Sequence, residues 1–571
     1  MSGRTSDDAA GWWRSAVIYQ VYPRSFADSD GDGVGDLRGA VARLDHLADL
    51  GVDAIWLSPI YRSPQADNGY DISDYEEVDP LFGSSADLDE LIAGAHARGI
   101  RIVMDIVVNH TSDEHPWFVA SRSGRSDPKR DWYWWRDPRD GGAPTNWESF
   151  FSGSAWTLDP TTGQYYLHLF DRKQPDLNWE NPQVRDAVVA MMRRWLDRGV
   201  DGFRMDVINF ISKEPDLPDV PDVPPGETGF AGAHFMNGPR IHAYLHELRT
   251  RLQEGREEPV LIVGEMPGVT IEEGRRYTDP ARAEVDMVFQ FDHVGVDHGA
   301  DKWDPIELDM GLLRRRLYDW QLGLADVGWN SLYWSNHDQP RVVSRFGDDD
   351  PAWWRASATA LATVLHGMRG TPFVYQGEEI GMTDYPWSTS EELRDVESLN
   401  QLAVFDRAGL SAQEALDRVR HSARDNARTP MQWSADDPEG GFTAGTPWIP
   451  VNPNVDWLSV DRQRDDPESV LAHYRRLIAL RHRVRVLVEG DFRELPTDDD
   501  PAVWAYGRVL GDEALLVVAN LRREPARREL GPEWVGGELL LGNLPHRAKR
   551  VGPVVELDGW DARMYLRRAS R

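Results

Sequence analysis

Eight short β-rich runs, most of them separated by a helical pattern, restrict the fold of this chain more than any other feature. Residues 37–50 and 182–198 each place apolar side chains on one helical face and end at a glycine, Gly51 or Gly199, before the next run. This alternation favours a (β/α)8 TIM barrel of the α/β class over a doubly wound sheet, for which a glycine-rich nucleotide turn is missing. The runs comprise residues 17–23, 54–60, 100–108, 201–207, 261–266, 285–291, 332–338 and 371–377.

Two intervals are too long to be plain connections between barrel elements. Residues 110–178, rich in Trp, Tyr, Gly and Pro, predict an inserted subdomain B after the third strand, and residues 382–461 predict an irregular insertion after the eighth. The catalytic barrel then comprises residues 1–109 and 179–484 and closes with a helix near residues 469–482. Alternating short strands in residues 485–571 predict a C-terminal antiparallel β-sandwich domain.

Charge and composition limit the partners. The 571 residues include 95 acidic and 63 basic side chains, and the resulting net charge of −32 argues against nucleic acid and for a neutral or cationic partner. The absence of cysteine excludes disulfides, thiolate catalysis and cysteine-bound zinc, and it fits a reducing compartment. No signal peptide pattern precedes the first strand, and no apolar run approaches the roughly 20 residues that span a bilayer. We therefore expect a cytoplasmic protein that does not enter membranes.

Four polar motifs stand where apolar runs end: DIVVNH (residues 105–110), GFRMDV (202–207), VGEM (263–266) and SNHDQPR (335–341). The carboxyl ends of the strands of an α/β barrel hold its active site, so these motifs predict one pocket. The pocket would contain three carboxylates, two imidazoles and one guanidinium, namely Asp206, Glu265, Asp338, His110, His337 and Arg204.

These side chains suit the cleavage of a glycosidic bond with retention, which needs a carboxylate nucleophile and a carboxylic acid about 5–5.5 Å apart. Arg204 lies two residues before Asp206 on one strand face, and we expect it to lower the pKa of this nucleophile. Neighbouring carboxylates would raise the pKa of Glu265, the candidate general acid and base. Asp338 would stabilise the cationic sugar ring, and His110 and His337 would bind sugar hydroxyls.

Two other interpretations apply to the same residues. An aspartate after a strand, taken alone, is more often a helix cap or a loop anchor than a catalytic group. Two histidines and three carboxylates also compose a hydrolytic metal site, which predicts inactivation by a chelator. Arg204 counts against that site, because a guanidinium does not bind metals and competes for the carboxylates.

The motifs, in this order, resemble those of the α-amylase family of glycoside hydrolases, family 13, over nearly the whole chain. The resemblance implies the barrel, subdomain B and C-terminal β-domain, with no organic cofactor. It also implies Asp206 as nucleophile, Glu265 as acid and base, and Asp338 as transition-state stabiliser. Arg204, His110 and His337 correspond to sugar-binding residues of the family.

Four longer motifs resemble the oligo-1,6-glucosidase branch of this family: NGYDISDY (residues 68–75), QPDLN (174–178), MVFQFDH (287–293) and NARTPMQW (426–433). The resemblance implies that Asp71 and Arg428 form the closed end of a pocket that grips the non-reducing glucose, with Tyr70 stacked on its ring. It therefore implies an exo-acting enzyme that releases one glucose from a small oligosaccharide. The oligomeric state stays open, a monomer included.

Val207, directly after the nucleophile, bears on the linkage. Members of the branch with valine there resemble α-1,6-specific enzymes, whereas threonine or alanine goes with α-1,4 activity. One methyl group changes discrimination by about 1–3 kcal/mol, so we expect a preference for isomaltose and short α-1,6-linked glucosides. Alternatively, Val207 only packs against the next strand. Separately, the rival functions are an α-1,4-glucosidase, a transglycosylase that isomerises sucrose or maltose, and a non-catalytic carbohydrate-binding relative.

A separate acidic loop, DSDGDGVGD (residues 28–36), follows the first strand. Its residues match positions 1, 3, 5, 6, 7 and 9 of an EF-hand loop, although Gly39 replaces the glutamate of position 12. The loop predicts a structural Ca²⁺ ion, with Mg²⁺ as the alternative, remote from catalysis; otherwise it is a metal-free acidic turn. The predicted ligands are Asp28, Asp30, Asp32, the carbonyl of Val34, and Asp36.

Overall fold

A barrel of eight parallel strands forms the centre of the protein. The computed structural model describes residues 11–496, 500–545 and 549–568. The eight predicted strands are confirmed: β1 Ile18–Val21, β2 Ala54–Leu57, β3 Arg101–Val107, β4 Gly202–Asp206, β5 Leu261–Glu265, β6 Met287–Phe289, β7 Ser331–Leu332 and β8 Thr371–Tyr375. Strands β1–β6 pair in chain order, β7 pairs with β8 and β8 with β1, while a bridge between Val288 and Asn330 joins β6 to β7 and closes the ring.

Helices surround the barrel. The predicted helix over residues 37–50 is broken at Arg43, whose φ of −105° and ψ of 3° separate two shorter helices. The helix before β4 ends as predicted at Gly199, which adopts a left-handed conformation with φ 112°. The outer helices are Leu37–Ala42, Leu44–Leu50, Ser85–Ala97, Pro182–Arg198, Ile241–Gln253, Ile271–Thr278, Met310–Gly323, Trp354–His366 and Val470–Arg483.

Two inserted segments lie beyond the carboxyl ends of the strands. Residues 110–178 contain the helix Pro116–Ser123 and a three-stranded antiparallel sheet of Trp135–Arg136, Trp156–Asp159 and Gln164–Leu167. The segment 382–461 is not irregular throughout, because a side-chain cap at Asp395 and a capping box at Ser411 begin two helices. Its helices are Val396–Arg407, Ala412–Ser422, Asp425–Arg428 and Val460–Gln463.

The C-terminal part is antiparallel, as expected. Its strands are β9 Asp491–Glu494, β10 Val503–Leu510, β11 Glu513–Asn520, β12 Ala526–Glu529, β13 Glu538–Gly542, β14 Val554–Leu557 and β15 Ala562–Arg568. A five-stranded sheet with the order β9-β10-β11-β15-β13 packs against a two-stranded sheet of β12 and β14 around Trp534, Val518 and Tyr565. Parts of the predicted domains, namely residues 1–10, 497–499, 546–548 and 569–571, lie outside the described residues.

Among the described residues, no helix combines the length and the hydropathy that crossing a bilayer requires. The helix Pro182–Arg198, which has 17 residues, carries charged side chains on its outer face and packs against the barrel with Val184, Val188 and Trp195.

Candidate active site

A cavity of about 390 Å³ opens at the carboxyl ends of the barrel strands. Its wall includes the three predicted catalytic carboxylates, Asp206, Glu265 and Asp338. Asp206 ends β4 and Glu265 ends β5, and the preceding residues, Met205 and Gly264, face each other in the sheet. Asp338 lies in the turn that follows β7. The barrel therefore brings together the three carboxylates that sequence reasoning selected.

One buried guanidinium organises the floor of this cavity. Arg204 on β4 contacts Asp206 Oδ1 through Nη1 at 2.7 Å and Glu265 Oε1 through Nη2 at 2.7 Å. Its Nη1 also donates to Asp105 Oδ1 at 2.9 Å, and the side chain is 1% exposed. Asp105 is fixed further by the hydroxyl of Tyr70, which donates to its Oδ2 at 3.0 Å. Arg204 thus holds three carboxylates from three neighbouring strands.

The electrostatics of the two opposed carboxylates differ from expectation. Burial raises the pKa of Asp206 to about 7, against the lowering effect of Arg204 and with the help of the Asp105 charge. Arg204 lowers this pKa, as predicted, but the net shift is upward, because loss of hydration exceeds the effect of one shared cation. Burial likewise raises the pKa of Glu265 to about 7, as predicted in direction, with Asp206 and Asp338 adding to the rise.

Asp338 is in a different electrostatic position. Burial alone would raise its pKa, but His337, Arg424 and Arg428 together hold the pKa well below the ordinary range of an aspartate. The guanidinium of Arg428 lies 2.7 Å from Asp338 Oδ1, and His337 Nε2 lies 3.2 Å from Oδ2. Asp338 is therefore a fixed negative charge facing two carboxyls that titrate near neutrality.

The inner end of the cavity is closed by an ion pair that sequence reasoning missed. Asp67 Oδ1 lies 3.0 Å from Arg424 Nη2, and both residues line the cavity. Arg424 also contacts Asp395 at 2.6 Å and Asp338 at 3.4 Å. Gln174 Nε2 donates to Asp67 Oδ2 at 3.1 Å. The signal was available, since Asp67 directly precedes the NGYDISDY motif and Arg424 lies two residues before NARTPMQW.

The structure places the two residues first expected at the closed end elsewhere. Asp71 is fully buried and accepts hydrogen bonds from Ser63 Oγ and from the backbone N–H groups of Ala66 and Asp67, at 2.9–3.0 Å. It therefore shapes the loop and does not face the cavity. Arg428 lies behind the wall, where it binds Asp338 and donates to Asp395 Oδ1 at 3.1 Å. Asp67 and Arg424 occupy the positions that had been assigned to Asp71 and Arg428.

The aromatic and imidazole groups form one side of the site. The rings of Tyr70 and His337 stack with centroids 5.2 Å apart and planes 6° from parallel. His337 is fully buried behind Tyr70, whereas Tyr70 and His110 line the cavity. His110 Nε2 lies 3.1 Å from Gln174 Nε2, and burial lowers the pKa of His110 to about 4. His110 is therefore a neutral hydrogen-bonding group at physiological pH.

Val207 both lines the cavity and packs into the protein. Its side chain packs in an apolar cluster with Phe210 and Trp134. The interpretation of Val207 as a pocket residue and the interpretation of it as a packing residue are therefore compatible. Its backbone is left-handed, with φ 35° and ψ 42°, a conformation that β-branched residues rarely adopt. In this conformation its N–H donates to Glu265 Oε2 at 3.1 Å.

The acidic loop after β1 brings together part of the predicted metal site. Asp28, Asp30 and Asp36 each place a carboxylate oxygen within 4.8 Å of the other two. Asp32 is not part of this group, and its Oδ1 accepts the N–H of Val34 at 2.8 Å. The turn requires Gly33, since its φ is 93° and an added Cβ would lie 1.9 Å from the carbonyl oxygen of Thr446. Carboxylate oxygens are hard donors, so this set fits Ca²⁺ or Mg²⁺.

Comparisons with known proteins agree with this geometry. The family model for the alpha-amylase catalytic domain matches residues 20–490. Over 558 residues the chain is 50% identical to an oligo-1,6-glucosidase from Parageobacillus thermoglucosidasius, a match that covers 97% of this chain and 98% of that protein.

Solved structures are similar over the same length. A trehalose-6-phosphate hydrolase from Bacillus licheniformis matches with a TM-score of 0.90 and 43% identity, covering 97% of this chain and 99% of that one. A variant of isomaltulose synthase from Erwinia rhapontici in complex with D-glucose matches with a TM-score of 0.93 and 41% identity, over 97% and 99%. Sequence, fold and the three carboxylates together establish that this chain belongs to the α-amylase family of glycoside hydrolases.

Proposed function

We propose that this protein is a retaining, exo-acting α-glucosidase that releases glucose from the non-reducing end of isomaltose and short α-1,6-linked gluco-oligosaccharides. The opposition of Asp206 and Glu265 on adjacent strands carries the proposal. Adjacent strands lie about 4.8 Å apart. Both carboxylates also contact the same guanidinium, at 2.7 Å from Nη1 and Nη2 of Arg204, and so close a pair suits the carboxyl separation of about 5–5.5 Å in retaining glycosidases better than the 6.5–9.5 Å or so of inverting ones.

The reaction assigns one role to each carboxyl. Asp206 attacks the anomeric carbon while protonated Glu265 transfers its proton to the leaving glycosidic oxygen, so one bond forms as the other breaks. Glu265, now ionised, removes a proton from water, which attacks the glucosyl–Asp206 ester and releases glucose with its original anomeric configuration. Asp338, ionised throughout, stabilises the positive charge that develops on the sugar ring in both steps.

The Asp67–Arg424 pair supports exo action. It blocks the cavity beyond the first glucose and presents a carboxylate and a guanidinium to the hydroxyl groups of a terminal sugar. A phosphorylated substrate is not favoured by the described wall, because its cations already have partners. Lys302 pairs with Glu397 at 2.7 Å and Arg345 with Asp297 at 2.6 Å.

Glucose release from matched isomaltose and maltose tests the proposal, with Asp206→Ala as the control for contaminating activity. We expect faster cleavage of isomaltose, because Val207 lines the side of the cavity next to the nucleophile. Faster cleavage of maltose would retain the mechanism and overturn the linkage. Isomaltulose or trehalulose formed from sucrose, in place of free glucose, would identify a transglycosylase.

The two assignments of the closed end are distinguished by a pair of variants. We expect Asp67→Asn to lower kcat/KM for isomaltose by about 100-fold, because a charge-assisted hydrogen bond to the substrate is lost. Asp71→Asn should lower Tm and affect kcat/KM less, since its carboxylate binds only loop atoms. Steady-state kinetics and thermal unfolding measure both; a larger rise of KM in Asp71→Asn would contradict the assignment.

We also propose that the loop of Asp28, Asp30 and Asp36 binds Ca²⁺ and that the ion supports the fold, not catalysis. None of these residues lines the cavity. At a Ca²⁺ concentration 100 times Kd, binding to the folded state alone adds about 2.7 kcal/mol to the free energy of unfolding. Chelation should therefore lower Tm, and restored Ca²⁺ should recover it, without changing the initial rate well below Tm.

Two variants test whether the response of Tm to Ca²⁺ comes from this loop. Asp30→Asn should remove the response of Tm to Ca²⁺, whereas Asn in place of the exposed Asp326 should leave it intact. A Tm that is independent of chelator would show a metal-free acidic turn.

A further inference from the structure

A second cavity, of about 220 Å³, shares no wall residue with the candidate active site. It lies between the two helices broken at Arg43, the segment after β8 and the last barrel helix, Val470–Arg483. Three arginines, Arg43, Arg464 and Arg475, contribute to its wall and are called the arginine cluster below. The helices that carry Arg43 and Arg475 are the first and the last of the barrel, so the cavity lies where the ring of helices closes.

The cluster has an unusual charge balance for this protein. Within the described residues, none of its three guanidinium groups forms an ion pair with a carboxylate, although the chain has 95 acidic residues and a net charge of −32. Two aspartates also belong to the wall: Asp45 pairs with Arg98 at 2.7 Å, and in the described part of the chain the exposed Asp49 forms no ion pair with the cluster. The charge of Arg464, after burial, lowers the pKa of Arg43, because the two cations repel each other. Three guanidinium groups against two carboxylates leave the wall with an excess of positive charge, which a bound anion would offset.

Two of the three guanidinium groups are held in place by neutral partners. Arg43 lies over the Trp433 ring at 4.3 Å, and its Nη2 donates to the carbonyl of Gly441 at 3.3 Å. Arg475 Nη1 donates to the carbonyl of Arg464 at 3.1 Å, while its Nε is buried without a partner. An arginine has five N–H donors, so most of the donors of the cluster stay available. A buried N–H group without an acceptor costs free energy, which a ligand oxygen would recover.

We propose that the arginine cluster binds a phosphate group, either as free inorganic phosphate or as part of a phosphorylated metabolite. Guanidinium groups bind tetrahedral oxyanions through paired N–H···O bonds, and three of them around a small cavity match the several oxygens of phosphate. Because the remaining surface is strongly acidic, anions have no general affinity for this protein. A bound phosphate would link the first helical pair to the last barrel helix and so stabilise the closed ring.

Calorimetric titration of the full-length protein with inorganic phosphate, at ionic strength kept constant with chloride, tests the proposal. We expect saturable binding that weakens by about tenfold or more in Arg475→Gln and in Arg464→Gln. Arg464 is exposed, so its variant retains the fold even if Arg475→Gln does not. Arg476→Gln is the matched control, because Arg476 lies on the same helix outside the cavity and its Nη1 donates to the carbonyl of Pro467. It should bind phosphate as the wild type does.

A parallel titration with glucose 6-phosphate distinguishes the two sources of the anion. Tighter binding than that of inorganic phosphate, weakened by the same variants, would support a phosphorylated metabolite as the ligand. Binding of inorganic phosphate alone would support the free anion. Absence of phosphate binding at millimolar concentration, or binding that is equal in wild type, Arg464→Gln and Arg475→Gln, would overturn the proposal.

Discussion

Replacing Asp206 with alanine is expected to lower kcat for isomaltose by about 10⁴-fold or more, because the covalent intermediate can no longer form. The fold should persist, since Arg204 keeps Asp105 and Glu265 as partners. Azide, which fits the space left by the carboxylate, should restore cleavage of an activated aryl α-glucoside and give the β-glucosyl azide. Azide takes the place of Asp206 in attacking the anomeric carbon, so the product has the inverted configuration.

Asp105→Ala is the matched control for this variant. It removes another carboxylate from the same guanidinium, but Asp105 is fully buried outside the cavity. We expect partial loss of activity without rescue by azide. Formation of β-glucosyl azide by Asp105→Ala, or its absence with Asp206→Ala, would show that the nucleophile has been assigned to the wrong strand.

Glu265→Gln is expected to lower kcat/KM for isomaltose by about 10³-fold, the usual contribution of a general acid. Cleavage of 4-nitrophenyl α-glucoside to the glucosyl-enzyme should fall much less, because 4-nitrophenolate leaves without protonation. Azide should then release the α-glucosyl azide, since it attacks the ester from the side that Glu265 faces. Equal losses on both substrates would contradict the role of Glu265 as the acid.

The pH profile follows from both carboxyl groups. Glu265 acts in its protonated form and Asp206 in its ionised form, and burial raises the pKa of each to about 7, so activity on isomaltose should be highest near pH 7 and should fall as pH rises above it because Glu265 loses its proton. With Glu265→Gln and the aryl glucoside, this alkaline decline in the formation of the glucosyl-enzyme should disappear. Glu397→Gln is the control, because Glu397 lines the cavity but pairs with Lys302; the alkaline decline should remain.

The sequence alone predicted the barrel and its three carboxylates, because a strand and the polar residue at its end are neighbours in the sequence. A strand that ends in a polar residue places that residue at the carboxyl edge, whatever the rest of the chain does. Which aspartate lies at the closed end of the cavity depends instead on the conformation of a turn. Asn68 and Gly69 both have positive φ, 48° and 104°, so the chain reverses and turns Asp67, not Asp71, toward the cavity. Periodicity does not encode that reversal.

Two other differences have physical causes that a sequence pattern does not contain. The pKa of Asp206 depends on how completely the barrel removes water from the carboxylate, and Arg204 divides its charge among three partners. The two longer helices of segment 382–461 begin at side-chain caps, and their buried residues, such as Phe405, Leu416 and Val419, pack in a separate apolar cluster and not in the core of the barrel. Both effects become visible only once distant segments are in contact.

The left-handed backbone of Val207 bears on how the specificity of such enzymes evolves. A β-branched residue in this conformation stores strain on the order of 1–3 kcal/mol, which Gly or Asn at the same position would relieve. Most substitutions beside an active site reduce stability and so limit what selection can explore. With Gly or Asn at position 207, relief of strain would offset part of the lost packing, and the N–H that supports Glu265 is retained by any residue except proline. Position 207, beside the cavity, is therefore open to single substitutions that retain the hydrogen bond to Glu265 and much of the stability of the folded state.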